Sequence, residues 1–308
     1  MSKKILVATE KPFAQAAIDE ISKIISNAGY SVILLENYQE KEDLLNALSD
    51  VNAVIVRSDK MTAEVIERAP HLEIIVRAGA GYDNVDLEAA TKKQIVVMNT
   101  PGQNSNAVAE LAFGMMLYLA RKGYTGKSGT ELRGKKLGIH AYGNVGKYVA
   151  QIGKGFGMDI YAYDPFVSEE IMAKEGIKSI KTVEELYSSC DYISLHLPKT
   201  KETVASINSN LFSIMKKGAA LINTARAEVI SEHCLLQMFE TRPDFKYASD
   251  IAPECKDEIA AKYEGRFFFT PKKMGAQTEE ANINAGIAAA KQIVNFFQKG
   301  DRTFQVNK

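Results

Sequence analysis

The first pattern that could do chemistry is a turn between a predicted strand and a predicted helix, from Ala141 to Gly146. Gly143 would let the backbone approach a phosphate, and Gly146 would let the helix pack closely on the strand. The start of the helix would offer free amide groups and the positive end of its dipole to a pyrophosphate. The first glycine of the usual fingerprint is replaced by Ala141. The turn therefore predicts a dinucleotide site with one departure from the pattern.

A carboxylate follows at the end of the next predicted strand, where Asp164 precedes Pro165. At this position an aspartate accepts hydrogen bonds from the ribose hydroxyls of NAD, and it would repel the 2′-phosphate of NADP. The turn and Asp164 together predict NAD as the cofactor. The residues expected around its phosphates are Tyr142, Gly143, Asn144, Val145 and Gly146.

Further motifs follow in an order that is typical of one family. They are Val56–Asp59, Arg77–Asp86, Asn106–Glu110, His196–Thr200, Asn223–Arg226, Tyr247–Asp250 and Thr270–Thr278. In this order they resemble the D-2-hydroxyacid dehydrogenases, and in particular a short form of the members that oxidise 3-phosphoglycerate at C2, without C-terminal regulatory domains. The resemblance implies an NAD-dependent enzyme that catalyses the first step of serine biosynthesis.

The resemblance also implies which residue polarises the substrate and which one moves a proton. Arg226 matches the catalytic arginine, whose guanidinium can hold a carboxylate and polarise a carbonyl group. The family's catalytic histidine normally follows Thr-Pro, but here the sequence after Pro271 is Lys272-Lys273. Counting back from Gly275 gives Lys273, which we prefer, whereas counting forward from Pro271 gives Lys272. Burial would lower the pKa of such a lysine and suit it to acid–base work.

Glu254 is the expected partner of Lys273, although the family's glutamate lies one residue later. Asp250 resembles the aspartate that binds the nicotinamide carboxamide. His196 is not assigned to proton transfer, because its segment lines the adenosine side in the family, and His140 is expected to be a hydrogen-bonded core residue. The remaining cofactor contacts implied by the resemblance are Ala80, Leu197, Pro198, Thr224, Ala225, Asp250, Gly275 and Ala276.

Two arginines point to a phosphorylated substrate. Arg57 and Arg77 follow predicted strands of the first domain, and two guanidiniums suit a dianionic phosphate better than lactate or glyoxylate. The substrate contacts implied by the resemblance are Arg57, Ser58, Arg77 and Gly79. Two alternatives stay open: a hydroxypyruvate, glyoxylate or other 2-ketoacid reductase, and an NADH-sensing regulatory protein of the same fold, since the motif lacks its histidine.

The elements that must position these residues alternate between strands and helices along the whole chain. Nearly continuous runs of Ile, Val and Leu predict parallel sheets that are covered on both faces. The predicted strands are Lys4–Thr9, Ser31–Glu36, Ala53–Arg57, Glu73–Ala78, Ile95–Asn99, Lys136–Ala141, Asp159–Tyr163, Tyr192–Leu197, Ala219–Thr224, Tyr247–Ile251 and Phe267–Thr270. Helices are predicted over Phe13–Asn27, Asp86–Lys93, from Asn104 or Ser105 to about Arg121, and over Glu279–Phe297.

This order predicts an α/β protein of two doubly wound parallel-sheet domains, with a Rossmann cofactor domain inserted in a flavodoxin-like substrate domain. Residues 1–102 would form the substrate-binding domain, to which the segment 279–308 returns, and residues 103–278 would bind NAD. The long helix after residue 103 resembles the family's dimer interface, so a homodimer is expected.

Composition restricts the possible partners. The 308 residues contain 38 Lys and Arg and 38 Asp and Glu, and this zero formal charge argues against a nucleic-acid binder. Cys190, Cys234 and Cys255 lack the spacing of metal ligands, so no metal is expected. The first residues run directly into a predicted strand, so no signal peptide is expected, and the apolar run Leu111–Ala120 is too short to cross a bilayer. We therefore expect a cytoplasmic enzyme with a small-molecule substrate and no membrane partner.

Overall fold

The computed structural model describes residues 2–307 and gives twelve β-strands and twelve α-helices in that range. The strands are β1 Lys4–Thr9, β2 Ser31–Glu36, β3 Ala53–Val56, β4 Ile74–Arg77, β5 Val96–Asn99, β6 Lys136–His140, β7 Asp159–Tyr163, β8 Lys178–Ser179, β9 Tyr192–Leu195, β10 Ala220–Asn223, β11 Lys246–Ser249 and β12 Phe267–Phe269. The helices are α1 Gln15–Asn27, α2 Lys41–Ala47, α3 Ala63–Glu67, α4 Leu87–Lys92, α5 Ser105–Ala120, α6 Asn144–Gly155, α7 Glu169–Lys174, α8 Val183–Ser189, α9 Ser209–Ile214, α10 Glu232–Thr241, α11 Lys256–Lys262 and α12 Glu279–Lys299.

Contacts divide the chain into two units. One contains the chain up to Asn104 together with the segment from Thr278 onward, and the other is Ser105–Gln277. These bounds lie close to the expected division after residue 102 and before residue 279. Both units contain a wholly parallel sheet, so the predicted fold class is confirmed.

The first unit is built on a five-stranded sheet in the order β2-β1-β3-β4-β5, which is the flavodoxin-like order. Apolar residues of α1 and α12 cover one face, and those of α2, α3 and α4 cover the other. Small residues of α12 let it approach α1 closely: a Cβ on Gly286 would lie 2.8 Å from Cδ1 of Ile21. The segment after α12 is fixed to β5, because the Asn307 side chain accepts from the Val97 amide and donates to the Ile95 carbonyl.

The second unit has a seven-stranded sheet in the order β12-β11-β10-β9-β6-β7-β8. The segment β11-β10-β9-β6-β7-β8 reproduces the Rossmann order, and β12 extends its edge. Helices α5 and α6 pack on one face, whereas α8, α9, α10 and α11 pack on the other. The strand β6, which leads into the glycine turn, is therefore held inside the sheet, and this fixes the position of the turn.

All predicted strands are present, with ends that move by at most two residues. The strand that the sequence did not predict is β8, a two-residue edge strand that is too short to show a hydrophobic period. The helix after residue 103 begins at Ser105, as expected. No helix in the described part of the chain combines the length and the apolar character needed to cross a bilayer.

Candidate active site

The turn from Ala141 to Gly146 joins β6 to α6, as predicted. Ala141 has a φ of 79°, a left-handed conformation that costs a residue with a Cβ atom about 1–2 kcal/mol. Gly143 precedes the first helical residue, and a Cβ built on it would meet no atom of the chain within 4 Å. A Cβ on Gly146 would lie 2.5 Å from the Ala141 carbonyl oxygen. Gly143 thus leaves room for a ligand, and Gly146 allows close packing.

The carboxylate of Asp164 is held beside this turn. Its Oδ2 accepts a hydrogen bond from the Tyr142 amide at 2.8 Å, and its Oδ1 accepts one from the Phe166 amide at 2.8 Å. Each carboxylate oxygen has a second lone pair, so ribose hydroxyls can still donate to Asp164. Because the amides in the first turn of α6 have no acceptor within the helix, the same edge also suits a pyrophosphate. These residues fit a dinucleotide.

Only the backbone of Tyr142 is placed to contact a ligand in this turn. Its side chain is 1% exposed and its hydroxyl donates to Oε2 of Glu175 at 2.6 Å. Lys147 pairs with the other carboxylate oxygen of Glu175 at 2.8 Å. Lys147 and then Tyr142 lower the pKa of Glu175, whereas burial and the nearby carboxylate raise the pKa of Tyr142. Tyr142 therefore packs under α6.

Arg226 follows β10 and is placed by a side chain that sequence reasoning left out of the site. Asn223 is buried, and its Oδ1 accepts from the Ala225 amide at 2.9 Å while its Nδ2 donates to the Arg226 carbonyl at 3.0 Å. One amide side chain therefore bridges both ends of the turn. Nη1 of Arg226 donates to the Ala225 carbonyl at 3.0 Å, and the residue is half-buried. Such a turn can present a guanidinium to an anion.

Lys272 and Lys273 are both exposed in the loop between β12 and α12. The expected burial of the acid–base lysine is therefore not found, because the loop runs over the surface of its unit. Asp250, which directly follows β11, is 1% exposed and accepts hydrogen bonds from this same loop. Gly275 and Ala276 follow directly, and Gly275 is buried.

Glu254 is exposed, and its described contact is made by its backbone. The amides of Glu254 and Cys255 donate to the two carboxylate oxygens of Glu232, at 2.7 and 3.2 Å. Glu232 is the first residue of α10, so it joins that helix to the segment that carries Glu254. Sequence reasoning missed Glu232. Pairing of Glu254 with Lys273 stays a prediction.

The two histidines near the turn are not acid–base groups. His140 is 7% exposed, lies 3.3 Å from the Tyr187 hydroxyl through Nδ1, and has its pKa lowered to about 4 by burial. It is the hydrogen-bonded core residue that was predicted. Nε2 of His196 lies 2.9 Å from the Ser194 hydroxyl and Nδ1 lies 3.3 Å from that of Thr224. Burial lowers the pKa of His196 to about 3, so it stays neutral.

In the first unit, Arg57 holds parts of the chain together. Its Nη1 donates to the carbonyls of Lys11 and Pro12, both at 3.0 Å, and its Nη2 donates to Oδ1 of Asn282 at 2.5 Å. The guanidinium also lies 5.0 Å from the ring centre of Phe13. Burial lowers the pKa of Arg57. The expected phosphate contact would have to use the guanidinium N–H groups that remain, because a guanidinium has five.

Arg77 and Gly79 are fitted to each other. Nε of Arg77 donates to the Arg57 carbonyl at 3.0 Å, and Gly79 has a φ of 148°. A Cβ on Gly79 would lie 1.6 Å from Nη1 of Arg77, so the guanidinium occupies the space that any other residue would need. Ala80 and Ser58 are exposed beside this pair. The structure therefore places all four predicted substrate residues at the carboxyl edge of the sheet.

Sequence reasoning also missed Asp59, which organises this edge. It is 1% exposed, and its Oδ2 accepts from the Arg57 amide at 2.9 Å. Its Oδ1 accepts from the Glu10 amide at 2.7 Å and from the Tyr38 hydroxyl at 2.9 Å. The signal in the sequence was a carboxylate two residues after the arginine, close enough to accept from the Arg57 amide.

The other predicted cofactor residues lie on the carboxyl side of strands in the second unit. Leu197 and Pro198 follow β9, and Thr224 and Ala225 follow β10, where both are buried. Within residues 2–307 no group of three or more His, Cys, Asp or Glu side chains is arranged to hold a metal ion.

Comparisons with known proteins give the family. The model of the D-isomer specific 2-hydroxyacid dehydrogenase catalytic domain matches residues 6–307. D-3-phosphoglycerate dehydrogenase of Homo sapiens is 38% identical over 299 residues, which are 92% of this chain and 56% of that protein. The enzyme of that name from Archaeoglobus fulgidus is 37% identical over 309 residues, covering 95% of this chain and 57% of the relative. The chain thus spans little more than half the length of these curated relatives.

A solved structure extends the similarity to the whole chain. The structure of NAD+-bound 3-phosphoglycerate dehydrogenase from Entamoeba histolytica has a TM-score of 0.90 and 49% sequence identity, and the match covers 100% of this chain and 99% of that one. The family match over residues 6–307 agrees with the parallel sheets and with the glycine turn beside Asp164. The chain belongs to the D-isomer specific 2-hydroxyacid dehydrogenase family.

Proposed function

We propose that this protein is an NAD-dependent dehydrogenase that interconverts D-3-phosphoglycerate and 3-phosphohydroxypyruvate, the first step of serine biosynthesis. The observation that carries the proposal is the β6–α6 turn with the Asp164 carboxylate hydrogen-bonded to it. The substrate is supported by relatives named for 3-phosphoglycerate, including the Entamoeba histolytica enzyme at 49% identity.

The second unit would hold the cofactor. Amides of Gly143, Asn144, Val145 and Gly146 would bind its pyrophosphate, and Asp164 would bind the adenosine ribose. When bound, NAD takes up the hydride from C2 of the hydroxyacid or returns it to the ketoacid. The remaining residues proposed to contact the cofactor are Ala80, Tyr142, Leu197, Pro198, Thr224, Ala225, Asp250, Gly275 and Ala276.

Three side chains would act on the reacting carbon and its oxygen. Arg226 holds the carboxylate and polarises the C2 oxygen. Lys273 gives a proton to that oxygen during reduction, which its ammonium form can do directly. During oxidation Lys273 must first lose a proton, so we expect the rate in this direction to rise with pH. Glu254 is proposed as the group that orients Lys273, and Lys272 is the alternative to Lys273.

The first unit would recognise the substrate through Arg57, Ser58, Arg77 and Gly79. One observation favours the second candidate function, reduction of unphosphorylated 2-ketoacids such as hydroxypyruvate or glyoxylate. Three acceptors, the carbonyls of Lys11 and Pro12 and the side chain of Asn282, already engage the Arg57 guanidinium. Phosphate recognition would then depend more on Arg77.

We also propose that the protein works in the cytoplasm as a homodimer formed through α5. Its substrate would be a small phosphorylated acid, with no nucleic acid or membrane as partner. Light scattering coupled to size-exclusion chromatography tests the dimer, and a monomer at assay concentration would contradict it.

The decisive experiment is an absorbance assay at 340 nm with NADH or NADPH and a panel of ketoacids. We expect kcat/KM to be much higher for 3-phosphohydroxypyruvate than for hydroxypyruvate, glyoxylate or pyruvate, and only with NADH. Equal values for hydroxypyruvate or glyoxylate would establish the second function. NADH binding by fluorescence without turnover of any ketoacid would identify a nicotinamide-sensing protein.

A further inference from the structure

We propose that Asp250 is a positioning residue that sets the conformation of the loop 270–275 and, through it, the place of Lys273. This proposal rests on the proposed function, in which Lys273 transfers the proton. The family resemblance gave Asp250 only a contact with the nicotinamide carboxamide. The contacts in this structure assign it a second task.

The carboxylate of Asp250 receives its hydrogen bonds from the loop itself. Oδ1 accepts from the Met274 amide at 2.6 Å and lies 3.2 Å from the Thr270 hydroxyl. Oδ2 accepts from the Gly275 amide at 2.8 Å. Two consecutive backbone amides are therefore held by the two oxygens of one buried carboxylate, the arrangement in which successive amides bind an anion.

The position of these amides decides which side chain is fixed. The Met274 amide belongs to the peptide plane that begins at the Lys273 carbonyl carbon, so binding it orients the plane next to the Lys273 Cα. Hydrogen bonds from amides to a carboxylate are shorter and roughly twice as strong as those between neutral groups. An exposed loop can therefore carry a well-placed lysine, because the buried Asp250 carboxylate underneath fixes its backbone.

Gly275 is the residue that permits this arrangement. A Cβ at Gly275 would lie 2.9 Å from Oδ2 of Asp250 and 3.2 Å from Cγ2 of Val108. The far side of the loop is fixed as well, since the Thr270 hydroxyl donates to the Asp250 carbonyl at 2.6 Å. Asp250 thus contacts residues on both sides of Lys273.

The capacity of the carboxylate limits its other contacts. An ionised carboxylate oxygen accepts about two hydrogen bonds. Oδ1 and Oδ2 each accept from one amide, since the single proton of the Thr270 hydroxyl is donated to the Asp250 carbonyl oxygen at 2.6 Å. Each oxygen can therefore accept one further hydrogen bond, so the carboxylate can hold the loop and contact the cofactor at the same time. A measurement without cofactor tests the loop role alone.

The test is Asp250→Asn, which keeps the shape of the side chain but presents an N–H₂ group to one of the two amides. In the full-length protein without added ligand, hydrogen–deuterium exchange at Met274 and Gly275 should increase at least tenfold, with the exchange of β6 unchanged. Asp257→Asn, at an exposed aspartate of α11, is the matched control and should not change exchange in the loop. Unchanged exchange at Met274 and Gly275 in Asp250→Asn overturns the positioning role, whatever the enzyme's activity.

Kinetics then test the connection to Lys273. Because a misplaced catalytic group commonly costs about 100-fold, Asp250→Asn should lower kcat by about 10–100-fold and change KM little. In a Lys273→Ala background the same substitution should lower kcat less than about threefold, since the two residues act as one unit. An equal loss in both backgrounds, or a raised NADH dissociation constant as the sole effect, overturns the connection.

Gly275→Ala provides a second variant if Asp250→Asn does not fold, as judged by circular dichroism. It leaves the carboxylate in place and pushes it away from the amide, so exchange at Met274 should again rise. Normal exchange with normal kcat in Gly275→Ala would count against the proposal. The exchange measurement needs no turnover, so a failure of the proposed function does not affect it.

Discussion

Ala141 occupies the first position of the glycine turn with a left-handed backbone, and its replacement by glycine tests whether that position is strained. A residue with a Cβ atom is about 1–2 kcal/mol less stable than glycine in this region. Glycine loses more conformational entropy on folding, which costs about 0.5–1 kcal/mol. Taken near the midpoints of these two ranges, the net gain for Ala141→Gly is about 0.5–1 kcal/mol. For a unit of this size, such a gain raises the melting temperature by roughly 1–4 °C.

Two other alanines provide controls for the melting experiment. Ala205 is exposed and has a φ of 51°, so Ala205→Gly should raise the melting temperature to a similar extent away from the turn. Ala173 is exposed within α7, where glycine costs about 1 kcal/mol relative to alanine, so Ala173→Gly should lower it. Differential scanning calorimetry of the four proteins measures these effects on one scale.

The outcome has a functional part as well. The Ala141 carbonyl oxygen packs against Gly146, where an added Cβ would lie 2.5 Å from it. We therefore expect Ala141→Gly to keep the turn geometry and to change the NADH dissociation constant by less than about threefold. A melting temperature that falls as far as in Ala173→Gly would refute the strain argument, because the strain relieved at position 141 would then be smaller than the entropic cost of glycine.

Three further predictions follow from side chains that the structure fixes. Burial holds the pKa of His140 near 4, below its ordinary 6.5, so the unfolded chain binds a proton that the folded one rejects. The free energy of unfolding, measured by urea denaturation, should therefore be highest above pH 6.5 and fall between about pH 6.5 and 4. In His140→Gln it should fall less steeply with decreasing pH. Equal slopes of unfolding free energy against pH in the two proteins would contradict this. Arg57→Ala should lower the free energy of unfolding by about 2–3 kcal/mol, whereas Arg68→Ala, which removes an exposed ion pair, should cost less than about 1 kcal/mol. Asp164→Ala should narrow the preference for NADH over NADPH in steady-state kinetics, and a wild-type enzyme that uses both equally would rule out the cofactor proposal.

The sequence predicted the strands well because buried parallel strands show themselves as short apolar runs. Ile5 to Ala8 and Ala53 to Val56 are fully buried, and such a run needs no knowledge of distant residues. The order of strands followed from the resemblance rather than from the pattern. β8 was not predicted, because a strand of two residues is too short to show a periodic pattern of apolar residues.

The contacts of the site were harder to predict because their partners lie far apart in the sequence. Arg57 donates to residues 45 and 46 positions before it and to Asn282, 225 positions after it. A motif search shows an arginine after a strand and assigns it to a ligand, because ligands bind at such edges. An arginine is the right type of residue to bind an anionic ligand, but the three acceptors that contact the Arg57 guanidinium cannot be identified from the sequence around it. The exposure of Lys273 is a similar case, since burial depends on the whole unit.

In both units a buried aspartate at the carboxyl edge of the sheet accepts hydrogen bonds from the backbone amides of the loops. Loops leave a sheet there with amides that have no partner strand, and a buried N–H group without an acceptor is costly. Asp59 accepts from the amides of Glu10 and Arg57, and Asp250 accepts from those of Met274 and Gly275. A carboxylate can hold two amides at once, which no neutral side chain of that length does as well. An aspartate beside a ligand motif is therefore as well suited to hold the loop as to bind the ligand, and only its donors distinguish the two roles.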